Sequence, residues 1–357
     1  MTRLMFFLRR STSWMLQVPR LPMIVRDTEG DSQYAIVLVN VRSESDLPRD
    51  MREKMHHEGW TFVSHTFHIT YDYWTADQIF RAVLPGDKIP SSFTKVGHIA
   101  HLNLQPEFDP YKSLIGQVIL DKYKNITTVV NKTTMIDNTY RNFQMEVLAG
   151  EDKMVTTLSE NGCRFMLDFS KVYWNSRLQH EHDRLVRSFA KGSIICDVFA
   201  GVGPFAIPAC KKQGCKVYAN DLNPASVEWL NKNIALNKMG SDRIRTYNMD
   251  GRAFIRESFT MDDRIDHYIM NLPAIALEFL DAFRGLGDHV SRTVSPMIHC
   301  YCFTRGSDPL REINQRIEQA LGNAPPEADI YWVRTVAPKK EMYCVSFRLH
   351  PALREVH

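Results

Sequence analysis

The sequence predicts an α/β protein. Its C-terminal half reads as an open, mostly parallel sheet that ends in an antiparallel edge hairpin, and a smaller α+β domain precedes it. Three observations carry this reading. From about residue 177 onward, apolar strand-like runs alternate with amphipathic helical stretches, the pattern of a sheet with crossover helices. A glycine-bearing loop, "CDVFAGVGPFAIPA" (196–209), joins the first of these strands to its helix. The last two strand-like runs, "DIYWVRTVAP" (329–338) and "EMYCVSFRL" (341–349), are too close in sequence for a crossover and must form a hairpin.

The elements follow in order. "QYAIVLVN" (33–40) reads as a strand, "SDLPRDMREKMHHEGW" (45–60) as a capped helix, and "ADQIFRAVLPGDKIP" (76–90) as a helix ended by Pro-Gly. "KVGHIAHLNL" (95–104) and "LIGQVILDKY" (114–123) are apolar segments, and "ITTVVNKT" and "FQMEVLAG" are strands. Asn161-Gly162 lies between two alternating runs, a strong hairpin signal. A helix over 177–190 opens the second half. Strand–helix units then follow from 193, 216, 244 and 265, with a strand at 297–305 and a helix over 308–321. No internal repeat is visible.

Composition narrows the function classes. At 357 residues and 44% hydrophobic, the chain can bury a large core. A net charge of +3 is too mild to indicate nucleic-acid binding, so any basic surface must be local. The seven cysteines offer no paired C-x-x-C spacing and read as reduced, buried thiols, with no metal site expected. Cys300 and Cys302 are read as pointing to opposite faces of a strand. His98 and His101 are assigned structural hydrogen-bonding roles. No apolar run is long enough to span a membrane. Residues 1–26 are arginine-rich and free of acids, the composition of a transit segment.

The loop at 197–206 carries the chemistry. Gly201, Gly203 and Ala206 satisfy G-x-G-x-x-A, which by itself also fits a dinucleotide. Asp197 argues otherwise: a carboxylate before the glycines repels a pyrophosphate but attracts an ammonium. Asp221 ends the next strand, where it can take ribose hydroxyls, and Asp250 ends the third, where it can accept from an adenine amino group. S-adenosyl-L-methionine carries all three groups and no phosphate. A second signal is "MNLPAIALEF" (270–279), where Asn271 and Pro273 sit at the exit of an apolar strand. An amide there can read the edge of a planar base, and the proline stiffens the exit.

These residues, taken with "VGHIAHLNL", "KVYWNSRLQHEHDRLV", "NDLNPASVEWL" and "MDGRAF", resemble the archaeal and eukaryotic tRNA guanine-N1 methyltransferases, over roughly residues 30–350. The resemblance implies a class I methyltransferase (Rossmann-like) sheet and methylation of the guanosine 3′ of the anticodon, position 37. It implies S-adenosyl-L-methionine as cofactor and tRNA as partner, without a membrane, and a monomer is expected. It divides the chain into a transit segment (1–26), an N-terminal tRNA-recognition module (27–94), a small α+β domain (95–175) and the methyltransferase domain (176–357). Glu181, Arg141 and Asn271 fall on catalytic positions. His182, Asp197, Gly201, Gly203, Asp221, Leu222, Asp250, Gly251 and Asn271 fall on the cofactor pocket, and Tyr173, Arg177 and Pro273 on the substrate site. Ser176 departs from the usual proline.

The chemistry agrees with these types. Guanine N1 carries a proton at neutral pH, so methylation needs a base near N1 and a cationic donor near O6, where charge builds. Glu181 and Arg141 are expected to be that pair. Arg334, Lys339 and Lys340 are expected to meet tRNA phosphates. A wybutosine-pathway aminocarboxypropyl transferase of the same fold and an inactive tRNA-binding homologue are the rival readings. The expected residence is the mitochondrial matrix, with nuclear and cytoplasmic pools.

Overall fold

The computed structural model describes residues 15–16, 18–26, 35–37, 39–90, 92–137, 142–262, 264–286, 295–322 and 327–349. The chain forms two compact units, Met1–Gln78 and Ile79–His357. Most of the expected transit segment, and Arg141, lie outside the described residues.

In the first unit, β1 (Ile24–Arg26) pairs antiparallel with β2 (Ala35–Val37), and α1 (Arg49–Glu58) ends at Gly59 in a left-handed cap. Met15, Leu47 and Met55 form its small core. Helix α2 (Ala76–Val83) follows along the chain.

The second unit begins with a four-stranded sheet of β3 (Thr94–Val96), β4 (Ile99–Leu102), β5 (Thr128–Asp137) and β6 (Asn142–Gly150), with α3 (Lys112–Lys122) between β4 and β5. The apolar segment at 114–123 is thus a helix. Strands β7 (Val155–Glu160) and β8 (Cys163–Asp168) form the hairpin expected at Asn161-Gly162, with φ of 51° and 74° at its two central residues.

The large sheet contains β9 (Ile194–Asp197), β10 (Lys216–Asn220), β11 (Ile244–Tyr247), β12 (His267–Met270), β13 (Met297–Thr304), β14 (Ala328–Ala337) and β15 (Lys340–Arg348). Their spatial order is β11-β10-β9-β12-β13-β15-β14. The first five are parallel, while β15 runs antiparallel between β13 and β14, so the edge hairpin forms as expected. The helices are α4 (Gln179–Ser188), α5 (Ala206–Gln213), α6 (Pro224–Leu236), α7 (Gly251–Met261) and α8 (Pro309–Leu321). The stretch after Asn271-Leu272-Pro273 winds as a 3-10 helix, Ala276–Phe283.

Period-two alternation divides the core between the two faces of this sheet. Ile195, Val217, Ile269, Tyr301 and Cys344 enter one apolar cluster, and Cys196, Tyr218, Tyr268, Cys300 and Val345 enter the other. Cys302 joins Cys300. The expectation that these two point apart is corrected, because residues two apart on a strand return to the same face. All seven cysteines are buried and free. Burial pushes the Cys344 thiol up to about 12, so it stays protonated and unreactive at neutral pH.

Candidate active site

Strand order reverses between β9 and β12, and open α/β sheets bind ligands beyond the carboxyl ends at such a switch point. A cavity of about 430 Å³ lies there. Its wall follows the sheet from Asp250 after β11, Asp221 after β10 and Gly201 after β9, through Asn271 and Pro273 after β12, to Phe303, Met342 and Arg334 on β13, β15 and β14. The β3–β6 sheet adds Thr94, His101, Lys132 and Met145.

The acidic end is built by side chains that tie strand exits together. Buried Asn220 donates to the carbonyls of Val198 and Met249 and accepts from the Met249 N–H at 2.9 Å, so three neighbouring exits are stitched together. Asp221 accepts from the N–H groups of Gly201 (2.8 Å) and Asn223 (2.9 Å), which fixes the glycine loop. Asp250 caps α7 through the N–H groups of Arg252 and Ala253. A side chain at Gly201 would enter open space, whereas Gly203, at φ 96°, is packed against Leu230 and Ile207. Gly201 therefore shapes the cavity. Gly203 lets α5 close on the strands and is not among the residues lining the wall.

Asp197 lies deeper than the other two acids. It is fully buried and is not among the residues lining the cavity; among the described residues neither carboxylate oxygen makes a hydrogen bond of full geometry, and only the Phe199 N–H is directed at it. Burial, with the nearby Asp221 charge, raises its carboxyl well above the ordinary range. Desolvation raises Asp221 as well. A cation bound nearby would in turn favour the ionised form of both groups.

At the centre, Pro273 C=O accepts from Phe303 N–H at 2.9 Å, which clamps the exit of β12 to β13. Asn271 lines the cavity, and its Oδ1 is buried without a partner among the described residues. Such an atom costs about 1–3 kcal/mol unless something supplies a donor, so this amide is arranged for a ligand. Tyr173, half exposed, and Arg177 line the mouth, and Asn175 Oδ1 accepts from the Arg177 N–H to shape their turn. Ser176 Oγ donates to Lys95 C=O at 3.4 Å, one tether for this loop where a proline is usual.

Glu181 and His182 are neighbours on α4 and point in different directions. His182 lines the cavity, with Nδ1 2.6 Å from Glu160 Oε1. Glu181 is 5% exposed and does not line it. Arg184 grips its two oxygens at 2.6 and 2.7 Å, and the Tyr301 hydroxyl donates at 2.7 Å. Tyr301 and Cys344 sit two residues below the cavity residues Phe303 and Met342, about 7 Å along their strands. Successive helical residues diverge by about 100°, so in this arrangement His182 takes the inward direction and Glu181 turns toward Arg184 and Tyr301.

The comparisons with known proteins agree with this architecture. The TRM5/TYW2 methyltransferase domain family matches residues 156–323, and the TYW2 N-terminal domain family matches residues 76–153. A tRNA (guanine(37)-N(1))-methyltransferase of Batrachochytrium dendrobatidis is 44% identical over 96% of this chain and 82% of its own length. The chain belongs to the tRNA (guanine(37)-N(1))-methyltransferase family. A zebrafish (Danio rerio) enzyme of that name is 51% identical over 80% of this chain and 62% of its own. The solved complex of aTrm5 with tRNALeu superposes with a TM-score of 0.69 at 26% identity, covering 92% of this chain and 93% of that one. Methanocaldococcus jannaschii Trm5 with adenosine superposes at 0.57 and 26% identity, covering 91% and 90%.

Within this tRNA (guanine(37)-N(1))-methyltransferase family member, the site fits S-adenosyl-L-methionine. Buried Asp197 would ionise in answer to a cation, the open side of Gly201 leaves room, and Asp221 and Asp250 stand at adjacent strand exits. Of the residues expected from the sequence, His182, Gly201, Asp221, Leu222, Asp250, Gly251, Asn271, Tyr173, Arg177 and Pro273 line one cavity. Glu181, Asp197 and Gly203 do not, and Arg141 is outside the described residues. Sequence reasoning missed His101 and Lys132. Their signal was register: His101 lies opposite Thr94 on β3 and Val130 on β5, and Lys132 opposite Met145. One sheet face thus points Thr94, His101, Lys132 and Met145 at the site.

Proposed function

We propose that this chain methylates N1 of guanosine 37 in tRNA. The observation that carries this reading is one continuous cavity, running from Asp221 and Asp250 past Asn271 to a cationic far end, in a chain of this family. Bound at the acidic end, S-adenosyl-L-methionine supplies an electrophilic methyl group. The protein's own residues do the rest. Asn271, half-buried with its Oδ1 turned inward and without a partner among the described residues, reads the Watson–Crick edge of a base that has left its stack, and Pro273 and the Phe303 clamp hold it still. Most of the acceleration then comes from positioning.

Proton removal from N1 is assigned to Glu181. Its carboxylate must turn away from Arg184 and Tyr301 to reach the cavity, so RNA binding is expected to include that turn. Arg141 is assigned to the charge developing on O6. The reading of residues 27–94 as a tRNA-recognition module is supported by exposed Trp60, Phe62, Tyr71 and Trp74. A mitochondrial address rests on the composition of residues 1–26; a fluorescent fusion lacking them that still reaches mitochondria would remove its basis.

The deciding test is the product. After reaction with unmodified tRNA, mass analysis of the released nucleosides should find N1-methylguanosine. An aminocarboxypropyl adduct instead would place the chain with the rival transferase.

A further inference from the structure

The carboxylate assigned to take the N1 proton is fastened away from the cavity in which that proton arrives. Arg184 grips both Glu181 oxygens, through Nε at 2.7 Å and Nη2 at 2.6 Å, and the Tyr301 hydroxyl donates to Oε1 at 2.7 Å. The two holders differ in access. Tyr301 is fully buried. The Arg184 side chain is 32% exposed against 5% for its carboxylate partner, so solvent reaches the cation and not the anion. A guanidinium has five N–H donors in a planar fork, and Glu181 engages two of them.

The guanidinium also lies over the Tyr331 ring, 4.1 Å from its centre. Tyr331 is 43% exposed and pairs with Cys344, which pairs in turn with Tyr301, so one row of residues crosses three strands beneath the cavity. Three residues further along β14, about 10 Å away, Arg334 lines the cavity, and Val336 follows. Arg177 and Tyr173 at the mouth are close enough to Arg334 to act on its charge. The edge strand therefore carries a surface from the cavity mouth to Arg184. An arginine fork fits a carboxylate and a phosphate alike, with two parallel N–H···O bonds in either case. Exchange of one for the other keeps the fork engaged and leaves Glu181 held by Tyr301 alone.

We infer that Arg184 is a latch on Glu181, released when a phosphodiester of the bound tRNA takes its guanidinium. Once released, the carboxylate turns to the cavity and accepts the N1 proton. Without RNA it stays fastened, so base and target meet only in the complex. Arg184 is thus a positioning residue that acts through Glu181. This rests on the RNA-methylating reading and on Glu181 as the base, and deepens both. A nucleotide whose base has entered the cavity leaves its flanking phosphates at the mouth, where β14 leads down to Arg184.

The test uses the full chain and G37 tRNAs in which one anticodon-loop linkage at a time is a neutral methylphosphonate. Single-turnover methyl transfer at saturating tRNA, tRNA affinity across salt concentrations and S-adenosylmethionine affinity are compared for wild type, Arg184→Gln, Arg184→Lys and Tyr301→Phe. At one linkage wild type should lose about tenfold in rate even at saturation, the order of one charge-assisted hydrogen bond, because the latch stays closed. Tyr301→Phe keeps Arg184 and should show the same loss. Arg184→Gln should be indifferent to that linkage, should methylate ordinary tRNA no more slowly than wild type, and should bind it with a salt slope shallower by about 1. Arg184→Lys keeps the charge and loses the fork, so its slope should match wild type and its loss at that linkage should be smaller. S-adenosylmethionine affinity verifies folding; should Arg184→Gln not fold, Arg184→Lys decides. Equal losses in wild type and Arg184→Gln at every linkage would overturn the latch. So would a slower Arg184→Gln with an unchanged salt slope, because Arg184 would then hold Glu181 in its working position. A wild type that fails to methylate ordinary G37 tRNA marks instead a failure of the function, and full activity in Glu181→Gln a failure of the base assignment.

Discussion

Arg184 holds the carboxylate of Glu181 with two hydrogen bonds, of 2.6 and 2.7 Å, from within the same helix. The Arg184 guanidinium also lies over the Tyr331 ring at 4.1 Å, on the edge hairpin. The residue that family resemblance marks as the base is therefore also a fastening between α4 and the sheet. These roles separate experimentally. Arg184→Ala leaves a buried carboxylate without its cation and should destabilise the protein by about 2 kcal/mol, below the 3–5 typical of a fully buried pair because Arg184 is partly exposed. Tyr301→Phe should cost about 1 kcal/mol. Urea denaturation checks both. Equal stability of Arg184→Ala and wild type would mean that solvent already compensates Glu181.

Asp197 sets a pH dependence with a definite sign. Its carboxyl is raised in the folded chain, so its contribution to stability is full below the ordinary carboxyl pKa, about 3.9, and is lost as pH rises through the higher folded value. A bound cation reverses the preference by favouring the ionised form. As pH rises from the ordinary carboxyl range through the higher folded value, S-adenosylmethionine affinity should increase, and Asp197→Asn should flatten that rise. The same variant should melt higher than wild type in the ligand-free state at neutral pH. Calorimetry across this pH range and thermal melts at pH 7 measure the two effects; a variant that melts lower would contradict the account of an unpaired buried carboxylate.

His299 gives the opposite sign. It is buried against Phe189, bonded to His267 and Ser346, and desolvation lowers it to about 3. A histidine kept neutral by the fold contributes stability above its unfolded pKa, about 6.5, and loses it progressively down to the folded value. His101, lowered to about 4, acts in the same direction. Each histidine should add a slope of up to about 1.4 kcal/mol per pH unit between pH 6 and 4. The slope for His299→Asn in acid denaturation should be smaller than that of wild type by one such contribution.

The two loop glycines should fail differently. Gly203→Ala would place its new carbon 2.7 Å from Leu230 Cδ1 in a left-handed backbone, so stability should fall by about 1–3 kcal/mol with cofactor affinity nearly intact in the folded fraction. Gly201→Ala meets no atom within 4 Å but also sits in left-handed backbone, at φ 53°, so it should cost about 1 kcal/mol of stability and, by intruding on the cavity, should also weaken cofactor binding, which Gly203→Ala should not. Melting temperature and isothermal titration on the same samples distinguish them.

The sheet and much of its site were legible in sequence for physical reasons. The order strand, glycine loop, helix fixes the switch point, and an aspartate at each of three strand ends marks the carboxyl edge. Asn161-Gly162 required positive φ, and the hairpin followed. Side-chain direction was less legible. Glu181 and His182 differ by one residue on a helix, and only the packing of Tyr301 and Arg184 shows which turns inward. Gly203 and Gly201 share one motif, but contact with Leu230 makes the first a packing glycine. His101 looked like its neighbour His98 until strand register placed it over the cavity. Cys300 and Cys302 share a face because the strand period is two.

The central claim is that this chain transfers a methyl group to guanosine 37, with Glu181 taking the N1 proton. The most direct measurement is single-turnover transfer from labelled S-adenosylmethionine to two otherwise identical tRNAs, with guanosine or adenosine at position 37, by wild type and Glu181→Gln. The account predicts N1-methylguanosine on the guanosine tRNA alone, and a loss of about 10²–10⁴-fold in Glu181→Gln with cofactor binding retained. Full activity in Glu181→Gln would reduce that residue to a structural fastening of α4, and equal methylation of both tRNAs would contradict the assignment of guanine N1 as the target.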